Sequence, residues 1–186
     1  MIKNKTAFVT FFPIVPNNMG SSTVVNSRFS SWPKEKKLFQ ISHIKKINNK
    51  NIKTIFIKKE TPIKKILKLP SLIIEIFKYI RFSKNKIIII EGASWIFYSF
   101  MTIFFLKLLL PDCKIIYISH SIESDIRKKY SNKFIYFLTK FLEKLVFKFS
   151  NYSTSVSIKE KNRIYKIYKE KTKIFPNGID INEKNL

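Results

Sequence analysis

The sequence KIIYISHSIESDIRKK, residues 114–129, decides the fold of this chain. Its first part, Ile115–Ser119, is mostly apolar and rich in β-forming residues, which predicts a buried strand. His120 follows directly, and Ser121 can then cap a helix that has Glu123 in its first turn. Open α/β sheets bind ligands outside the carboxyl ends of their strands. His120 is therefore the first candidate for chemistry; the alternative is a His that only hydrogen-bonds a loop.

Strand and helix patterns alternate along the whole sequence. The clearest strand, Lys86–Glu91, contains four consecutive Ile residues, which are typical of a strand buried on both faces of a parallel sheet. The alternation predicts an α/β fold, a Rossmann-like parallel sheet with helices on both faces. The predicted strands are 6–12, 37–42, 52–57, 86–91, 115–119, 152–156 and 173–175. The predicted helices are 22–31, 62–82 with a kink or break at Pro70, 94–110 capped by Ser94, a long helix after His120 that bends near Ser131, and 157–169.

The charge of the chain limits its partners. The sequence has 186 residues and a formal net charge of +24. Its 36 basic residues are almost all Lys, whereas Arg is the usual reader of bases and phosphates. Lys spread along the chain is typical of solvated surfaces, and a basic surface that touches anionic lipid is the alternative. Nucleic acid is not expected as a partner.

Residues that could bind a metal are few and far apart. Cys113 is the one Cys, and His43 and His120 are the two His. They form neither a disulfide framework nor a metal-ligand spacing, so no metal and no cofactor are expected. This Cys usage, with no signal-peptide pattern at the N-terminus, indicates a cytoplasmic location. The apolar segment Trp95–Leu110 contains Lys107 and is shorter than the roughly 20 residues of a membrane span, which favours a buried helix.

One helical segment has the clearest amphipathic pattern in the sequence. Its apolar residues recur at steps of three and four, and Lys residues lie on the opposite side of the predicted helix. A helix packed on the sheet through this stripe is the favoured interpretation. The alternative is an aromatic-rich face that lies on a membrane, with lysines at the headgroups. The stripe consists of Phe134, Phe137, Leu138, Phe141, Leu142, Leu145, Val146 and Phe149.

Two other features are candidates for binding. Gly20 permits a tight turn close to a ligand, and Ser21 or Ser22 can cap the helix behind it, where backbone N–H groups favour a phosphate. An ordinary strand–helix turn is the alternative. Glu123 and Arg127 stand at positions i and i+4 of a predicted helix, a spacing that also forms a plain surface ion pair.

Three segments in this order resemble the acceptor-side half of a retaining glycosyltransferase of family 4, which has the GT-B fold. They are IIYISHSIESDIRKK (115–129), FSNYSTSVSIKEKNRIYKIY (149–168) and KTKIFPNGID (171–180). The family has a strand that ends in His, a segment of the form S-D-x4-V-S before a helix, and a short strand that ends in P-N-G-I/V-D. Gly20 stands where the family has its N-terminal glycine loop. The resemblance is specific from about Ile115 onward.

The resemblance implies roles for particular residues. The reaction would transfer a sugar from a nucleotide-sugar to an acceptor hydroxyl with retention and without a metal. His120 would lie near the transferring sugar, and Gly20 with Ser21 would lie on the pyrophosphate side of the cleft. Glu123 and Arg127 would take part in acceptor binding. Residues 1–175 would form the Rossmann-like domain, and 176–186 would begin the interdomain hinge, with Asn177 and Gly178 as the hinge residues.

The sequence also departs from the family pattern. The glycine loop has one glycine instead of two, and Asn151 replaces the commoner Asp. The second domain, which holds the nucleotide-sugar through an E-x7-E pair, is absent from these 186 residues. We therefore expect an enzyme that is inactive without a C-terminal domain or a separate chain that supplies one. Its expected acceptors are cell-surface polysaccharide or lipid-linked glycan, and its expected location is the cytoplasm or the inner face of the plasma membrane. The alternative is a non-catalytic basic module that binds a membrane surface.

Overall fold

The computed structural model describes residues 4–15, 20–33, 35–44 and 49–176. The strands and helices follow one another in the predicted order, including two successive strands, except that two helices stand where one long helix after His120 was predicted. The strands are β1 (Lys5–Thr10), β2 (Glu35–Ser42), β3 (Ile52–Phe56), β4 (Lys86–Glu91), β5 (Lys114–Ile118), β6 (Tyr152–Ser155) and β7 (Lys173–Ile174). The helices are α1 (Gly20–Ser31), α2 (Pro62–Ile80), α3 (Ile96–Leu109), α4 (Glu123–Tyr130), α5 (Lys133–Phe149) and α6 (Ile158–Tyr168).

All seven strands form one parallel sheet in the order β3-β2-β1-β4-β5-β6-β7. The centre of the sheet is apolar, and Phe8 of β1 lies beside Ile89 of β4. Both side chains are fully buried, as the run of Ile residues indicated. The predicted α/β fold with a Rossmann-like parallel sheet is confirmed.

The helices cover the two faces of the sheet unequally. Helices α2, α3, α5 and α6 share one hydrophobic core with one side of the strands. On the other face, α1 packs through Val25 and Phe29 against Phe8 and Ile89, and it is the one helix of the described chain in that second core. The asymmetry fits the element order, because the described residues between β2 and β3 include no helix, where a doubly wound sheet would have a second one.

Pro70 neither ends nor divides α2, so of the predicted kink or break the break is wrong. The helix runs on through this proline from its cap at Thr61. Pro70 itself is exposed, while Leu69, Leu72 and Ile73 are buried beneath it. Burial of this apolar face offsets the missing backbone hydrogen bond, so tertiary packing overrides the local preference. Farther along the chain, α3 begins without the predicted Ser94 cap, because Trp95 stands at that position and makes no side-chain cap bond.

The predicted bend near Ser131 is a full break between α4 and α5. Ser121 does not cap α4, contrary to the prediction. Instead both carboxylate oxygens of Glu143, on α5, accept hydrogen bonds from the backbone N–H groups of Glu123 and Ser124 at 2.8 and 3.1 Å. A buried carboxylate from another helix therefore satisfies the N–H groups that the sequence assigned to a local serine.

The predicted packing of α5 through its apolar stripe is wrong for most of the stripe. Leu142 and Val146 are buried, but the aromatic residues Phe134, Phe137 and Phe141 are exposed. The inward face is completed by Thr139, Glu143 and Phe147 instead. The helix is rotated about its axis because Glu143 must face inward to reach the start of α4.

Candidate active site

The candidate site lies at the carboxyl edge of the sheet. From β1 the chain builds the sheet in one direction through β2 and β3, and then returns to the other side of β1 with β4. The strand order therefore reverses between β1 and β4. Such a reversal opens the crevice in which α/β sheets bind their ligands. Glu91 is the last residue of β4 and lies beside Ile118, the last residue of β5. His120 follows shortly after, which brings it next to Glu91.

Three side chains from three elements meet at this edge. Arg28 Nη1 donates to Glu91 Oε1 and Oε2 at 2.7 and 2.6 Å. His120 Nε2 lies 2.8 Å from Glu91 Oε2. The exposed fractions of the side chains are 7% for Arg28, 0% for Glu91 and 10% for His120. The Arg28 guanidinium also lies 4.8 Å from the ring centre of Phe175, which follows β7. We call these three residues the Arg28–Glu91–His120 cluster.

The cluster determines what His120 can do chemically. In neutral His120, Nε2–H donates to the Glu91 carboxylate, so Nδ1 is the nitrogen that remains to accept a hydrogen bond. Arg28 balances the charge of Glu91, which would otherwise be a buried carboxylate without a cation. The contact with Glu91 therefore orients the His120 ring and, in the neutral form, favours the Nε2–H tautomer.

Sequence reasoning missed Arg28 and Glu91 as site residues. The sequence could have indicated Glu91, because a carboxylate directly after four buried Ile residues needs a partner at the end of the strand. Arg28 carried none, since it stands near the end of α1 and its partner is 63 residues away in sequence.

Glu123 and Arg127 form the ion pair that their spacing allowed. Arg127 Nε and Nη2 donate to Glu123 Oε1 at 3.1 and 2.9 Å. Glu123 Oε2 accepts a bond from the backbone N–H of Ile96 at 2.5 Å, so this carboxylate supplies the cap that α3 lacks. Burial raises the pKa of Glu123. The pair holds the starts of α3 and α4 together, and a contact with an acceptor stays a prediction.

A second buried carboxylate, that of Glu143, holds the start of α4 in place. Glu143 accepts a hydrogen bond from the Tyr168 hydroxyl in addition to its two backbone bonds. The Tyr168 hydroxyl also lies 2.6 Å from Ser124 Oγ. Burial raises the pKa of both Glu143 and Tyr168. These contacts fix α4, and hence the loop that carries His120, against α5 and α6.

Gly20 is the first residue of α1, so the helix begins earlier than predicted. Its φ is not positive, and a Cβ added there would meet nothing within 4 Å. The fold itself therefore does not require glycine at this position. Ser22 is not at the cap position, because it is the third residue of α1, and its hydroxyl donates to the carbonyl of Pro13 at 2.8 Å. Ser21 lies in the first turn and is half-buried. The predicted hinge residues Asn177 and Gly178 lie outside the described residues.

An open cleft of about 670 Å³ begins at Ser121, directly after His120. It lies between α4 and α6, and polar residues of both helices line it. The Arg163 guanidinium binds the Asp125 carboxylate across the two helices at 2.9 and 2.8 Å. This ion pair lowers the pKa of Asp125. Glu160, which also lines the cleft, lies in the first turn of α6 and accepts from the backbone N–H of Val156 at 3.2 Å.

The described ranges contain neither a candidate metal cluster nor a candidate membrane span. There, no three His, Cys, Asp or Glu residues lie close enough together to hold a metal ion. None of the helices there is long and apolar enough to cross a bilayer.

The fold is that of a Rossmann-like α/β domain, and solved structures with a similar fold are known. No protein-family model matches the chain, and a search of curated proteins finds no match. A structure assigned as a UDP-N-acetylglucosamine 2-epimerase from Listeria monocytogenes matches with a TM-score of 0.55 and 11% identity, over 89% of this chain and 42% of that one.

Two further structures share the fold at similarly low identity. The N-terminal domain of a trehalose-6-phosphate phosphatase from Candida albicans has a TM-score of 0.55 and 11% identity, over 90% of this chain and 43% of that one. An alpha-glucosyltransferase in complex with UDP and DNA has a TM-score of 0.51 and 10% identity, over 96% and 44%. The chain thus spans less than half the length of these three structures.

Proposed function

We propose that this chain is the acceptor-side half of a glycosyltransferase, which moves a sugar from a nucleotide-sugar to an acceptor hydroxyl. The observation that carries the proposal is the buried Arg28–Glu91–His120 cluster at the carboxyl edge of a Rossmann-like sheet. The ordered motifs that resemble family 4 support it. So does the similarity in fold to an alpha-glucosyltransferase solved with UDP.

His120 is the residue that we assign to the transferring sugar. Glycosyl transfer develops negative charge on the departing nucleoside diphosphate and needs the acceptor hydroxyl held close to the anomeric carbon. Nδ1 of His120 is available for a sugar hydroxyl, because Nε2 is bonded to Glu91. Glu91 is then a positioning residue for His120, and Arg28 is a positioning residue for Glu91.

The start of α1 is the part of this chain that we assign to the pyrophosphate. N–H groups at the N-terminus of a helix attract an anion, and Gly20 with Ser21 forms the first turn of α1. These N–H groups would help to neutralise the leaving diphosphate without a metal.

We further propose roles for a second domain, for the hinge and for two residues of α4. A second domain, in a longer chain or a separate one, would hold the nucleotide-sugar, with Asn177 and Gly178 as the hinge between the two domains. Glu123 and Arg127 would border the acceptor. We propose retention of configuration and an acceptor in cell-surface polysaccharide or lipid-linked glycan. The proposed location is the cytoplasm or the inner face of the plasma membrane.

Turnover is the direct test of the enzyme. The chain would be assayed alone and together with the product of any neighbouring reading frame, with release of nucleoside diphosphate from nucleotide-sugars as the readout. We expect His120→Ala to lower turnover at least 100-fold and Glu91→Gln to lower it less. His43→Asn is the matched control, because His43 is exposed and its partner is Glu60. Absence of turnover both alone and in combination would contradict the enzyme and favour the non-catalytic binding module.

The state of His120 can be measured without a complete enzyme. The chain has two His, so His43→Asn leaves one imidazole to observe by ¹⁵N NMR. We expect His120 in the Nε2–H tautomer, and we expect its nitrogen shifts to change when a nucleotide-sugar or glycan acceptor is added. Glu91→Gln should alter the tautomer equilibrium in the free chain. An Nδ1–H tautomer in the wild-type chain would contradict the assigned role of Glu91.

A further inference from the structure

We propose that the outer face of helices α2, α3 and α5 is a docking surface for an anionic phospholipid bilayer. The inference concerns a surface away from the Arg28–Glu91–His120 cluster and does not depend on glycosyl transfer. Exposed apolar side chains, the lysines between them and an apolar groove all lie on these three helices.

The three helices form one continuous layer. Helix α3 contacts α2 on one side and α5 on the other, so the outward side chains of all three belong to a single surface. We define the outer face by its exposed apolar residues. They are Ile63, Leu67 and Ile74 of α2, Phe104, Phe105, Leu108 and Leu109 of α3, and Phe134, Phe137 and Phe141 of α5. Monomeric soluble proteins rarely expose so many large apolar residues together.

The aromatic residues of α5 are exposed for a structural reason. Phe134, Phe137 and Phe141 are 74%, 61% and 59% exposed. They point away from the sheet because the opposite side of α5 carries Glu143, whose buried carboxylate caps α4. A rotation of α5 that buried these Phe residues would remove Glu143 from its three donors. The helix therefore holds its aromatic face outward.

The charge of this face fits an anionic surface. The three helices carry nine Lys and two Glu in total. Two of these Lys bind partners off the outer face, Lys65 at Glu60 and Lys107 at Asn151, which leaves seven. One of the two carboxylates, Glu143, is buried, and the other, Glu75, is neutralised by Lys53 and Lys78. Lys144 and Lys148 are exposed on α5 near the Phe residues. Aromatic rings that enter the headgroup region, flanked by Lys that bind lipid phosphates, are the features of an interfacial helix.

The same charges argue against a second copy of the chain as the occupant. A symmetric contact would bring the lysines of two copies together, and each copy has a net charge of +24. An anionic bilayer has the opposite charge. The outer face also has an apolar groove of about 490 Å³ between α2 and α3, lined by Leu67, Pro70, Met101 and Phe105 among others, and this groove can accept part of an acyl chain.

Co-sedimentation of the full chain with vesicles tests the proposal. The probes are vesicles of phosphatidylcholine alone and of phosphatidylcholine with about a third phosphatidylglycerol. We expect at least tenfold stronger partition onto the anionic vesicles, which weakens as salt is added. Phe141→Ser should lower the partition coefficient about tenfold, because an exposed ring can enter the interface. Phe56→Ser is its control, since Phe56 is exposed on strand β3.

A pair of charge variants tests the lysines separately. The double variant Lys144→Gln with Lys148→Gln should lower partition roughly 25-fold, at about fivefold per Lys near an anionic surface. Lys114→Gln with Lys173→Gln removes the same charge from exposed positions in β5 and β7 and should have a much smaller effect. Equal losses from both double variants would overturn the proposal, because binding would then reflect net charge alone.

Two more measurements distinguish a bilayer from a second copy of the chain as the occupant of the outer face. Phe141→Trp should show an added fluorescence that brominated lipids quench, which places position 141 in the bilayer. Equal binding to neutral and anionic vesicles, or no quenching, would overturn the proposal. Light scattering without lipid tests for a dimer. A dimer that Phe141→Ser dissociates would also overturn the proposal, because the outer face would then be an interface between two copies.

Discussion

Gly92 shows how one residue depends on a contact that sequence cannot reveal. It follows β4, and its N–H donates to the carbonyl of Ile118 at 2.8 Å. A Cβ at this position would lie 2.3 Å from the Tyr117 hydroxyl oxygen and 2.8 Å from the Ile118 carbonyl oxygen. Tyr117 is buried and the carbonyl is backbone, so neither can move freely. We expect Gly92→Ala to lower the free energy of unfolding by about 1–3 kcal/mol in urea titrations.

Gly20→Ala is the matched control for that prediction. A Cβ there meets nothing within 4 Å, and the residue is helical. Alanine should leave stability unchanged or raise it by up to about 1 kcal/mol. A large loss at Gly20, or none at Gly92, would contradict this account. If a phosphate binds at the start of α1, Gly20→Ala weakens ligand binding without lowering stability, which separates the two roles.

The ion pair of Asp125 with Arg163 predicts how the stability of the fold depends on pH. This ion pair lowers the pKa of Asp125 in the folded chain below the unfolded value of about 3.9. The carboxylate therefore stabilises the fold above that pH, and the stabilisation is lost as the pH falls through the folded pKa. Asp125→Asn should have a slightly lower urea midpoint than the wild type at pH 7. The difference in urea midpoint between the two proteins should vanish in acid. A difference that grows as the pH falls would contradict the assigned role of the ion pair.

At the scale of elements, Pro70 is the residue that most clearly destabilises the helix in which it lies, α2. The helix continues past it, although proline removes one helical hydrogen bond and its ring crowds the preceding turn. Pro70 is exposed, so its replacement leaves the buried face of α2 unchanged. We expect Pro70→Ala to raise the free energy of unfolding by about 1–3 kcal/mol.

Ser71→Ala is the control for this change in α2. Ser71 is also exposed and adjacent, and it differs from alanine in helix propensity by no more than about 0.7 kcal/mol. Both variants would be compared by thermal and urea unfolding. Equal effects from the two would show that the proline does not strain α2.

At the scale of the whole molecule, the sheet should be most stable at its centre. β1 and β4 are paired on both sides and almost entirely buried. β7 has two residues, both exposed, at one edge. Native-state hydrogen exchange should therefore be slowest in β1 and β4 and fastest among the strands in β7. Uniform protection across the seven strands would contradict this.

Much of the fold could be predicted because it depends on local patterns. The bounds of β4 are those that four Ile residues indicated, and the other strands and helices lie within a few residues of their predicted positions. The alternation of strand and helix was enough for the parallel sheet. His120 was found for the same reason, since it directly follows a predicted strand.

Other features were decided by tertiary contacts. Glu143 caps a helix that begins 20 residues earlier in sequence, and this contact sets the rotation of α5. The periodicity of α5 predicted an apolar stripe that would face the sheet, but only Leu142 and Val146 of that stripe are buried. The partner of Glu91 likewise comes from α1.

The sequence by itself determined the strands, the helices and their order, because backbone preference and apolar spacing act within a few residues of each position. It also determined that a histidine stands at the carboxyl edge of the sheet, next to the start of a helix. Only the tertiary structure decided which carboxylate and which guanidinium surround that histidine. It also decided that three Phe residues of α5 face outward. The physical reason is that a buried charge must find its partners wherever the folded chain supplies them, and such partners have no fixed spacing in sequence.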